Sequence, residues 1–304
     1  MPLSVTILGS SSASPALNRN HSAQILNCNE NLFLIDCGEG TQNRLRKYGV
    51  KIQRIKCIFI SHLHGDHYLG LIGLLSTMHL LGRQTEINLY APAELKEIID
   101  LQFKVSDTTL RFKLNFYSIN PKKTEIIYED KNITVSTLIL NHRIPCTGFL
   151  FKEKRKAKKI NKITCMAHNI PLEFYNELKL GKDYKKTEEE IIKNNILTFD
   201  APPSLGYAYC SDTAYLPSLA EQIKKVNLLY HEATFANEQE ERAKTTFHST
   251  AKQAAQIAKN AEVKKLIIGH FSNRYSNLQT LLAEAKEVFE NTELANEGNV
   301  FLID

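Results

Sequence analysis

Metal-binding side chains are concentrated in one short segment of the chain. The segment His62-Leu63-His64-Gly65-Asp66-His67 follows an apolar run over residues 55–60 that is typical of a buried strand. Its first two histidines lie two residues apart, so extended backbone directs both imidazoles to the same side. The glycine permits a sharp turn before the aspartate and the last histidine. These four groups exceed the three protein ligands that one catalytic zinc ion takes, so the spacing predicts a centre of two metal ions.

The same pattern, an apolar strand followed closely by a histidine or a carboxylate, recurs four more times. The strands and the side chains that follow them are residues 138–140 before His142, residues 206–210 before Asp212, residues 228–230 before His231 and Glu232, and residues 266–269 before His270. In sheets flanked by helices, the carboxyl ends of neighbouring strands form the edge at which sites are built. We therefore expect these side chains to converge.

The candidate ligands divide into two sets that share one carboxylate. One ion is assigned to His62, His64 and His142, the other to Asp66, His67 and His270, and Asp212 bridges them because each of its oxygens can serve one cation. The imidazole-rich set favours zinc, while manganese or iron remains open. Two cations about 3.5–4 Å apart lower the pKa of a shared water and clamp the attacking and leaving oxygens of a phosphoryl displacement. Asp66 is the candidate general base.

Two further carboxylates and one histidine complete the predicted site. Asp36, at the end of the strand over residues 32–35, is either a ligand or, as we prefer, a hydrogen-bond acceptor that orients a ligating histidine. Cleavage of a phosphodiester also requires a proton for the departing 3′-oxygen. We assign this proton to His248, held and charged by Glu232. The alternative is that His248 only caps a helix that begins near Ser249.

These side chains must be positioned by a fold of alternating strands and helices. Apolar runs and alternation predict strands over residues 3–8, 24–28, 32–35, 55–60, 87–90, 112–119, 125–128, 133–140, 206–210, 228–230, 266–269 and 299–303. Helices are predicted over residues 41–48 with Thr41 as a cap, 68–81 buried nearly all round, 92–103, 216–225, 249–260 and 278–289. His79, in the second helix, is interpreted as a core or boundary residue. This order favours two similar β-rich halves packed face to face with helices outside.

Composition and cysteine usage exclude several classes of protein. The chain has 304 residues, of which 43% are hydrophobic and 23% charged, so it can bury a core and is not disordered. Its six cysteines are scattered with no Cys-x-x-Cys pair, which indicates small buried side chains in a reducing compartment. No apolar run approaches the roughly 18 residues of a membrane span, and the N-terminus lacks the pattern of a signal peptide. We therefore expect a cytoplasmic protein with no membrane partner.

Basic residues are concentrated in a single stretch of the chain. The formal net charge is +5, but residues 152–186 alone carry eleven Lys and Arg against four Asp and Glu. The stretch has a balance of +7, which leaves −2 for the rest of the chain. A lysine-rich run is often only a solvated surface. On a slightly acidic chain with a hydrolytic site, it favours sequence-independent, salt-sensitive contact with RNA phosphates.

Several motifs resemble known families. The segment that contains the three clustered histidines resembles the signature of the metallo-β-lactamase superfamily. The motifs at residues 36–42, 61–67, 231–235, 248–250 and 269–275 resemble those of ribonuclease Z, the short form of the tRNA 3′-processing endonuclease. Pro15, Arg19 and Asn20 also match a family loop near the tRNA 3′ end, in which Leu17 stands in place of a lysine. The resemblance runs from the first strand to the last helix.

The resemblance implies a fold, a function and a partner. The fold is α+β, an αββα sandwich of residues 1–304 as a single domain, with an inserted basic arm over residues 151–186. The function is zinc-dependent endonucleolytic removal of the 3′ trailer from precursor tRNA, with two Zn²⁺ per subunit, the seven ligands named above, Asp66 as proton acceptor and a 3′-hydroxyl left on the tRNA. In the implied homodimer, the arm of one subunit clasps tRNA bound at the other. The candidate RNA-binding residues are Arg19, Lys152, Lys154, Arg155, Lys156, Lys158, Lys159, Lys162 and Arg274.

Two other functions are open from the sequence alone. One is a hydrolase of small thioesters, lactams or sulfates on the same scaffold, and the other is a non-enzymatic RNA-binding protein with a metal site. A small neutral substrate requires neither the basic arm nor the pair of Glu232 and His248. The complete set of candidate ligands argues against the non-enzymatic protein.

Overall fold

The computed structural model describes residues 3–14, 16, 18–187 and 190–304. Pro15 and Leu17, two of the loop positions compared with the family above, lie outside the described residues. The chain divides into two compact units, one formed by Met1–Lys152 with Leu205–Asp304 and the other by Glu153–Ser204. All six cysteines are buried and none forms a disulfide, as predicted. None of the helices in the described ranges combines the length and the apolar character that crossing a membrane requires.

The described residues of the first unit form two seven-stranded sheets. The strands of the first sheet are β1 (Leu3–Gly9), β2 (Ala23–Cys28), β3 (Asn31–Ile35), β4 (Ile55–Phe59), β5 (Ile87–Ala91), β6 (Leu114–Ser118) and β18 (Val300–Ile303), in the order β18-β1-β2-β3-β4-β5-β6. Those of the second are β7 (Ile126–Glu129), β8 (Ile133–Ile139), β9 (Thr147–Glu153), β14 (Gly206–Cys210), β15 (Leu228–Glu232), β16 (Lys265–Gly269) and β17 (Thr292–Leu294), in the order β17-β16-β15-β14-β9-β8-β7. Strands β3 to β6 are parallel, and so are β14 to β17. Each sheet therefore has an edge at which several carboxyl ends meet.

Aromatic side chains fill the space between the two sheets. Phe59 of β4 packs against Phe149 and Phe151 of β9, with ring centroids 5.4 Å apart in both contacts. In β4, Cys57 and Phe59 belong to this central cluster, whereas Ile58 belongs to the cluster beneath the helices. Successive strand residues point to opposite faces, so a strand covered on both sides must be apolar throughout. The apolar residues Cys57 to Ile60, which precede Ser61 and His62, follow from this requirement.

Helices cover the outer face of each sheet. Those that follow strands of the first sheet are α1 (Thr41–Lys47), α2 (Gly65–Tyr68), α3 (Leu71–Leu80) and α4 (Leu95–Val105), and those that follow strands of the second are α8 (Leu219–Gln222), α9 (Glu240–Thr246), α10 (Ala251–Asn260) and α11 (Gln279–Lys286). Apolar residues of α1, α3 and α4 are buried with the first sheet, and those of α8, α10 and α11 with the second. The layers are therefore helix, sheet, sheet and helix, which confirms the predicted αββα sandwich.

Some helix bounds differ from the predicted ones. The helix expected over residues 68–81 divides into α2 and α3 and is not buried all round, because Leu80 is 77% exposed. Thr41 is the first residue of α1 and not its cap, because Gly40 precedes it in the left-handed conformation. His79 accepts a hydrogen bond from a backbone N–H at 3.1 Å, which confirms it as a boundary residue. The helix expected over residues 216–225 is reduced to α8.

Arg83 ties the turn after α3 to the start of β4. Its buried guanidinium donates to the carbonyl oxygens of Thr85, Gln53, Ile55 and Glu86 at 2.7–3.0 Å. We expect Arg83→Met to lower the free energy of unfolding by about 2–4 kcal/mol, because these carbonyls lose their donor in a buried setting. Urea unfolding followed by circular dichroism measures the change. Arg111→Met, at an exposed position, is the matched control, and equal stability of the two variants would contradict the role of Arg83.

The second unit is small and has its own buried cluster. Its elements are β10 (Lys159–Ile160), β11 (Tyr184–Lys185), β12 (Ile191–Ile192), β13 (Thr198–Phe199), α5 (Lys162–Ala167), α6 (Tyr175–Lys179) and α7 (Asn194–Leu197). Strand β10 pairs with β13 and β11 with β12, and the buried cluster includes Cys165, Leu178 and Leu197. Because β12, α7 and β13 complete this cluster, the unit continues to residue 204, beyond the predicted end of the arm at residue 186.

Candidate metal centre

The carboxyl ends of four strands bring the predicted ligands to one place. The loop after β4 carries His62 and His64, α2 carries Asp66 and His67, and the residues that follow β8, β14 and β16 are His142, Asp212 and His270. Their donor atoms form two groups whose members lie within 4.8 Å of one another, and Asp212 and His270 also form such a group with His248. One group holds His62, His64, His142 and Asp212, and the other holds Asp66, His67 and His270. The grouping is the one assigned from the sequence.

Three histidines and one carboxylate oxygen form the first group. His64 Nδ1 lies 3.1 Å from both His62 Nε2 and His142 Nε2. Asp212 Oδ2 lies 3.5 Å from His62 Nε2 and 3.8 Å from His142 Nε2. Burial and the charge of His67 lower the pKa of His62 to about 4, and burial lowers the pKa of His142. Both imidazoles are therefore neutral at pH 7 and offer lone pairs to a cation.

Two histidines and Asp66 form the second group. Asp66 Oδ2 lies 3.4 Å from His67 Nε2 and 3.3 Å from His270 Nε2. Burial opposes a charge on His67, but the carboxylates of Asp212 and Asp66 raise its pKa well above the usual value. Burial likewise opposes a charge on Asp66, but His67 and His270 lower the pKa of this carboxyl group. The carboxylates that stabilise a proton on His67 would equally stabilise a metal cation that replaces this proton.

Asp212 joins the two groups. Its Oδ2 faces the first group, whereas its Oδ1 lies 3.4 Å from His67 Nε2 and 3.2 Å from His270 Nε2. Burial would raise the pKa of Asp212, but the charges of His270, His67 and His62 lower it well below the usual value. Asp212 is thus an ionised carboxylate with one oxygen directed to each group. The whole donor set, five imidazoles and two carboxylates, fits divalent transition-metal ions such as zinc.

Asp36 contacts His67 of the second group but belongs to neither group. Its Oδ2 lies 2.7 Å from His67 Nδ1 and accepts a hydrogen bond from the Tyr209 hydroxyl at 2.6 Å. Its Oδ1 accepts from the Ser61 backbone N–H at 2.7 Å. Asp36 adopts the left-handed conformation, with φ 55°. These contacts fix the orientation of the His67 ring, so that Nε2 is the nitrogen turned to the centre.

Two more histidines are oriented by contacts from the second sheet and its loops. His142 Nδ1 lies 2.9 Å from the carbonyl oxygen of Phe247, and His270 Nδ1 lies 3.0 Å from Thr234 Oγ1. With Nδ1 occupied, each ring presents Nε2 to the centre. The contact to Phe247 joins positions 105 residues apart, so no local sequence pattern could have revealed it.

Glu232 and His248 form a close pair beside the centre. Glu232 Oε1 lies 2.8 Å from His248 Nδ1, and Glu232 Oε2 accepts hydrogen bonds from the N–H and hydroxyl of Thr234. Burial opposes a charge on His248, but the charge and hydrogen bond of Glu232 raise the pKa of His248 to about 9. The alternative role, a helix cap, is wrong, because Thr250 caps α10 by accepting from the Gln253 N–H.

A cavity of about 430 Å³ opens onto these groups. Among its lining residues are His21, Arg143 and Thr246, which were not singled out from the sequence. The Arg143 guanidinium lies 3.2 Å from His64 Nε2, and its position next to a candidate ligand was the one available signal. The Ala13 backbone N–H donates to an Asp66 oxygen at 2.8 Å, a contact that only the folded loop creates. Charged and polar side chains therefore line the cavity and can contact a charged substrate.

Some residues considered above lie outside this cavity. The Arg19 guanidinium donates to the carbonyl oxygens of Ser272 and Tyr275 at 3.2 and 2.9 Å, so it ties two loops together. Arg274 is exposed. His231 is buried in β15, where its Nδ1 lies 2.7 Å from the carbonyl oxygen of Glu232, and it belongs to neither ligand group.

Basic residues line a cleft in the second unit. The cleft has a volume of about 450 Å³ and is lined by Arg155, Lys156, Lys158 and Lys179, of which the last was not singled out from the sequence. Lys158 Nζ lies 3.0 Å from Asp200, so part of the charge is balanced. The other predicted arm residues are exposed or half-buried, and they are Lys152, Lys154, Lys159 and Lys162.

The two packed sheets, the outer helices and the clustered histidines define a hydrolase of the metallo-β-lactamase fold. Among solved structures, the metallo-β-lactamase fold protein YhfI from Bacillus subtilis superposes with a TM-score of 0.69 at 20% identity, over 99% of both chains. Ribonuclease Z from Bacteroides thetaiotaomicron is 46% identical over 298 residues, which cover 98% of this chain and 94% of that protein. The chain belongs to the ribonuclease Z family.

Two further comparisons extend the similarity. The human short-form tRNase Z superposes with a TM-score of 0.71 at 27% identity, over 99% of both chains. Residues 3–163, just over half of the chain, match the family model described as Anti-Pycsar protein Apyc1 and so belong to that family as well. The protein is an enzyme, a ribonuclease Z-like phosphodiester hydrolase and endonuclease with a metal site.

Proposed function

We propose that the enzyme removes the 3′ trailer from precursor tRNA and leaves a 3′-hydroxyl on the tRNA. The observation that carries this proposal is the pair of ligand groups joined by Asp212, with the proton-bearing His248 on the same cavity. The names of the relatives, ribonuclease Z and tRNase Z, supply the substrate. A small neutral substrate would require neither the His248–Glu232 pair nor a separate basic unit.

Two zinc ions per subunit are proposed as the cofactor. His62, His64 and His142 would hold one ion, Asp66, His67 and His270 the other, and Asp212 both. When bound, the ions supply an activated water and charge stabilisation for the phosphoryl group. The imidazole-rich donor set favours zinc over harder ions such as magnesium.

Asp66 is proposed to accept a proton from the attacking water, and His248 is proposed to donate a proton to the departing oxygen. A water oxygen forms a bond to phosphorus and gives a proton toward Asp66, while the bond from phosphorus to the 3′-oxygen breaks. The lowered pKa of Asp66 keeps it ionised, so it orients the water and holds the proton only briefly. His248 donates the proton on Nε2 to the departing oxygen, because its Nδ1 is held by Glu232. The products are a 3′-hydroxyl on the tRNA and a 5′-phosphate on the trailer.

The second unit is proposed as the arm that binds tRNA. Its cleft gathers the cations Arg155, Lys156, Lys158 and Lys179, and clustered cations favour contact with phosphates. From the family resemblance, we propose a homodimer in which the arm of one subunit binds tRNA that is cleaved by the other. The exposed Lys152, Lys159 and Lys162 are proposed to add further phosphate contacts.

A direct assay tests the proposed function. The purified protein, with its metal content measured, is incubated with a tRNA that carries a 3′ extension, and the ends of both products are mapped. We expect one cut near the end of the acceptor stem, a 3′-hydroxyl on the tRNA and a 5′-phosphate on the trailer. Protein that holds metal and hydrolyses a small phosphodiester but leaves this RNA intact would refute the substrate.

Removal of charge from the arm tests its role. We expect the triple variant Arg155→Gln, Lys156→Gln and Lys179→Gln to weaken precursor binding and to reduce the slope of log affinity against log salt by up to about 3. Filter binding at several salt concentrations measures both. The matched control replaces Lys122, Lys131 and Lys224, which are exposed on the first unit, with glutamine. Equal losses for the two triple variants would show that only the total charge matters.

A further inference from the structure

A second cavity lies beside the cavity of the metal centre, and one residue lines both. Its volume is about 550 Å³, and its lining includes Asn141, Tyr215, Lys244, Phe247 and His248. His248 lines both cavities. The proposed proton donor therefore stands between the reacting centre and a separate space large enough for one nucleoside.

Two aromatic residues line this second cavity. Tyr215 is half-buried and packs against the apolar cluster beneath the second sheet. Phe247 is 37% exposed and adopts a left-handed conformation, with φ 58° and ψ 46°. Such a conformation is costly for a bulky residue and persists where surrounding contacts impose it. Here the carbonyl oxygen of Phe247 is fixed by His142 Nδ1 at 2.9 Å while its ring stays at the cavity.

The charges of the second cavity balance, so they do not favour a phosphate. Glu240 and Glu241 line it together with two cations, Lys244 and the protonated His248. The amide side chains of Asn141 and Gln253 add neutral donors and acceptors. Aromatic walls and neutral polar groups fit a planar, uncharged, hydrogen-bonding ring, which is a nucleobase.

We propose that the second cavity binds the last base of the tRNA body, the base whose nucleoside carries the departing 3′-oxygen. The inference rests on the proposed function. If His248 protonates that oxygen, the attached nucleoside must lie next to His248, and the second cavity is the space on which His248 also borders. The base stacks on Tyr215 or Phe247, and this contact places the scissile phosphodiester in the first cavity.

A double-mutant cycle between enzyme and substrate tests the proposal. One substrate is a precursor tRNA with the normal base at its last body position, and the other has an abasic nucleotide there. We expect Tyr215→Leu to lower kcat/KM about 10-fold on the normal substrate. On the abasic substrate, the same variant should lose less than about 2-fold, because the partner of the ring is already absent. Tyr215→Phe keeps the ring and should restore the normal kcat/KM.

The outcomes separate this proposal from the proposed function. Additive losses from the variant and the missing base would overturn the cavity assignment while cleavage of precursor tRNA still supported the enzyme's substrate. A substrate with the abasic nucleotide at the first trailer position is the control, and coupling of Tyr215 to that position instead would also overturn it. Circular dichroism of both variants shows whether they fold. Should Tyr215→Leu fail to fold, Phe247→Gly, which suits the left-handed backbone, takes its place in the same cycle.

Discussion

Replacing Asp212 with alanine should remove hydrolysis and reduce the metal content of the protein from the proposed two ions per chain to one or none. Asp212 is the one residue whose two oxygens face both ligand groups, at 3.5 Å from His62 Nε2 on one side and 3.2 Å from His270 Nε2 on the other. Metal ions contribute several kcal/mol of transition-state stabilisation, so we expect kcat to fall by at least about 1,000-fold. Inductively coupled plasma mass spectrometry measures the metal, and cleavage of precursor tRNA measures kcat.

The control for this experiment is Glu221→Ala, which removes a carboxylate from an exposed position in α8 and should leave both quantities unchanged. Asp212→Ala also removes a buried charge from a cluster of imidazoles, so its fold must be checked by circular dichroism without added metal. A folded Asp212→Ala protein that still holds two ions would contradict the bridging role. A protein that holds two ions and cleaves at the normal rate would contradict the whole centre.

The candidate ligands could be predicted because their positions follow from backbone geometry. A strand that is covered on both faces is mostly apolar, and polar residues become frequent where the strand ends. His62, His142, Asp212 and His270 all lie just past such an end, so the sequence shows where the chain reaches the edge of the sheets. The structure brings these residues together at the carboxyl ends of β4, β8, β14 and β16, of which β8 lies in the antiparallel part of its sheet.

The residues that orient the ligands could not be predicted in the same way. Phe247 adopts a left-handed backbone that phenylalanine rarely takes, and its contact with His142 depends on two loops meeting in the folded chain. The hydrogen bonds from Arg19 to carbonyl oxygens of a distant loop were likewise not foreseen, and its contact with RNA stays a prediction. Such contacts are set by tertiary packing, and neither residue type nor spacing encodes them.

The arm illustrates a third limit of sequence reasoning. Its basic residues were visible as a change in composition, but composition does not reveal where a compact unit ends. Residues 191–204 carry little charge and resemble a connecting loop, yet Thr198–Phe199 pairs with Lys159–Ile160 and Leu197 is buried in the same cluster. Only the pairing of these short strands defines the unit.

His248→Ala should slow cleavage of RNA far more than cleavage of an ester with a good leaving group. The departing 3′-oxygen is a strongly basic alkoxide that needs a proton, whereas nitrophenolate is stable without one. General acid catalysis contributes about 100- to 10,000-fold, so we expect a loss of that size in kcat on precursor tRNA. On bis(p-nitrophenyl) phosphate the loss should stay below about 10-fold, because the proton is not required. The ratio of the two losses therefore measures proton donation and not metal binding.

Two variants make this comparison decisive. Glu232→Gln keeps a hydrogen-bonding side chain 2.8 Å from His248 but removes the charge that holds its proton, so it should show the same substrate dependence with a smaller loss. His79→Ala removes a histidine whose hydrogen bond is to a backbone N–H away from the cavity and should affect neither substrate. Equal losses on both substrates in His248→Ala would mean that His248 supports the metal centre, where it lies close to Asp212 and His270. A loss that is much larger on precursor tRNA than on bis(p-nitrophenyl) phosphate would support proton donation to the leaving oxygen.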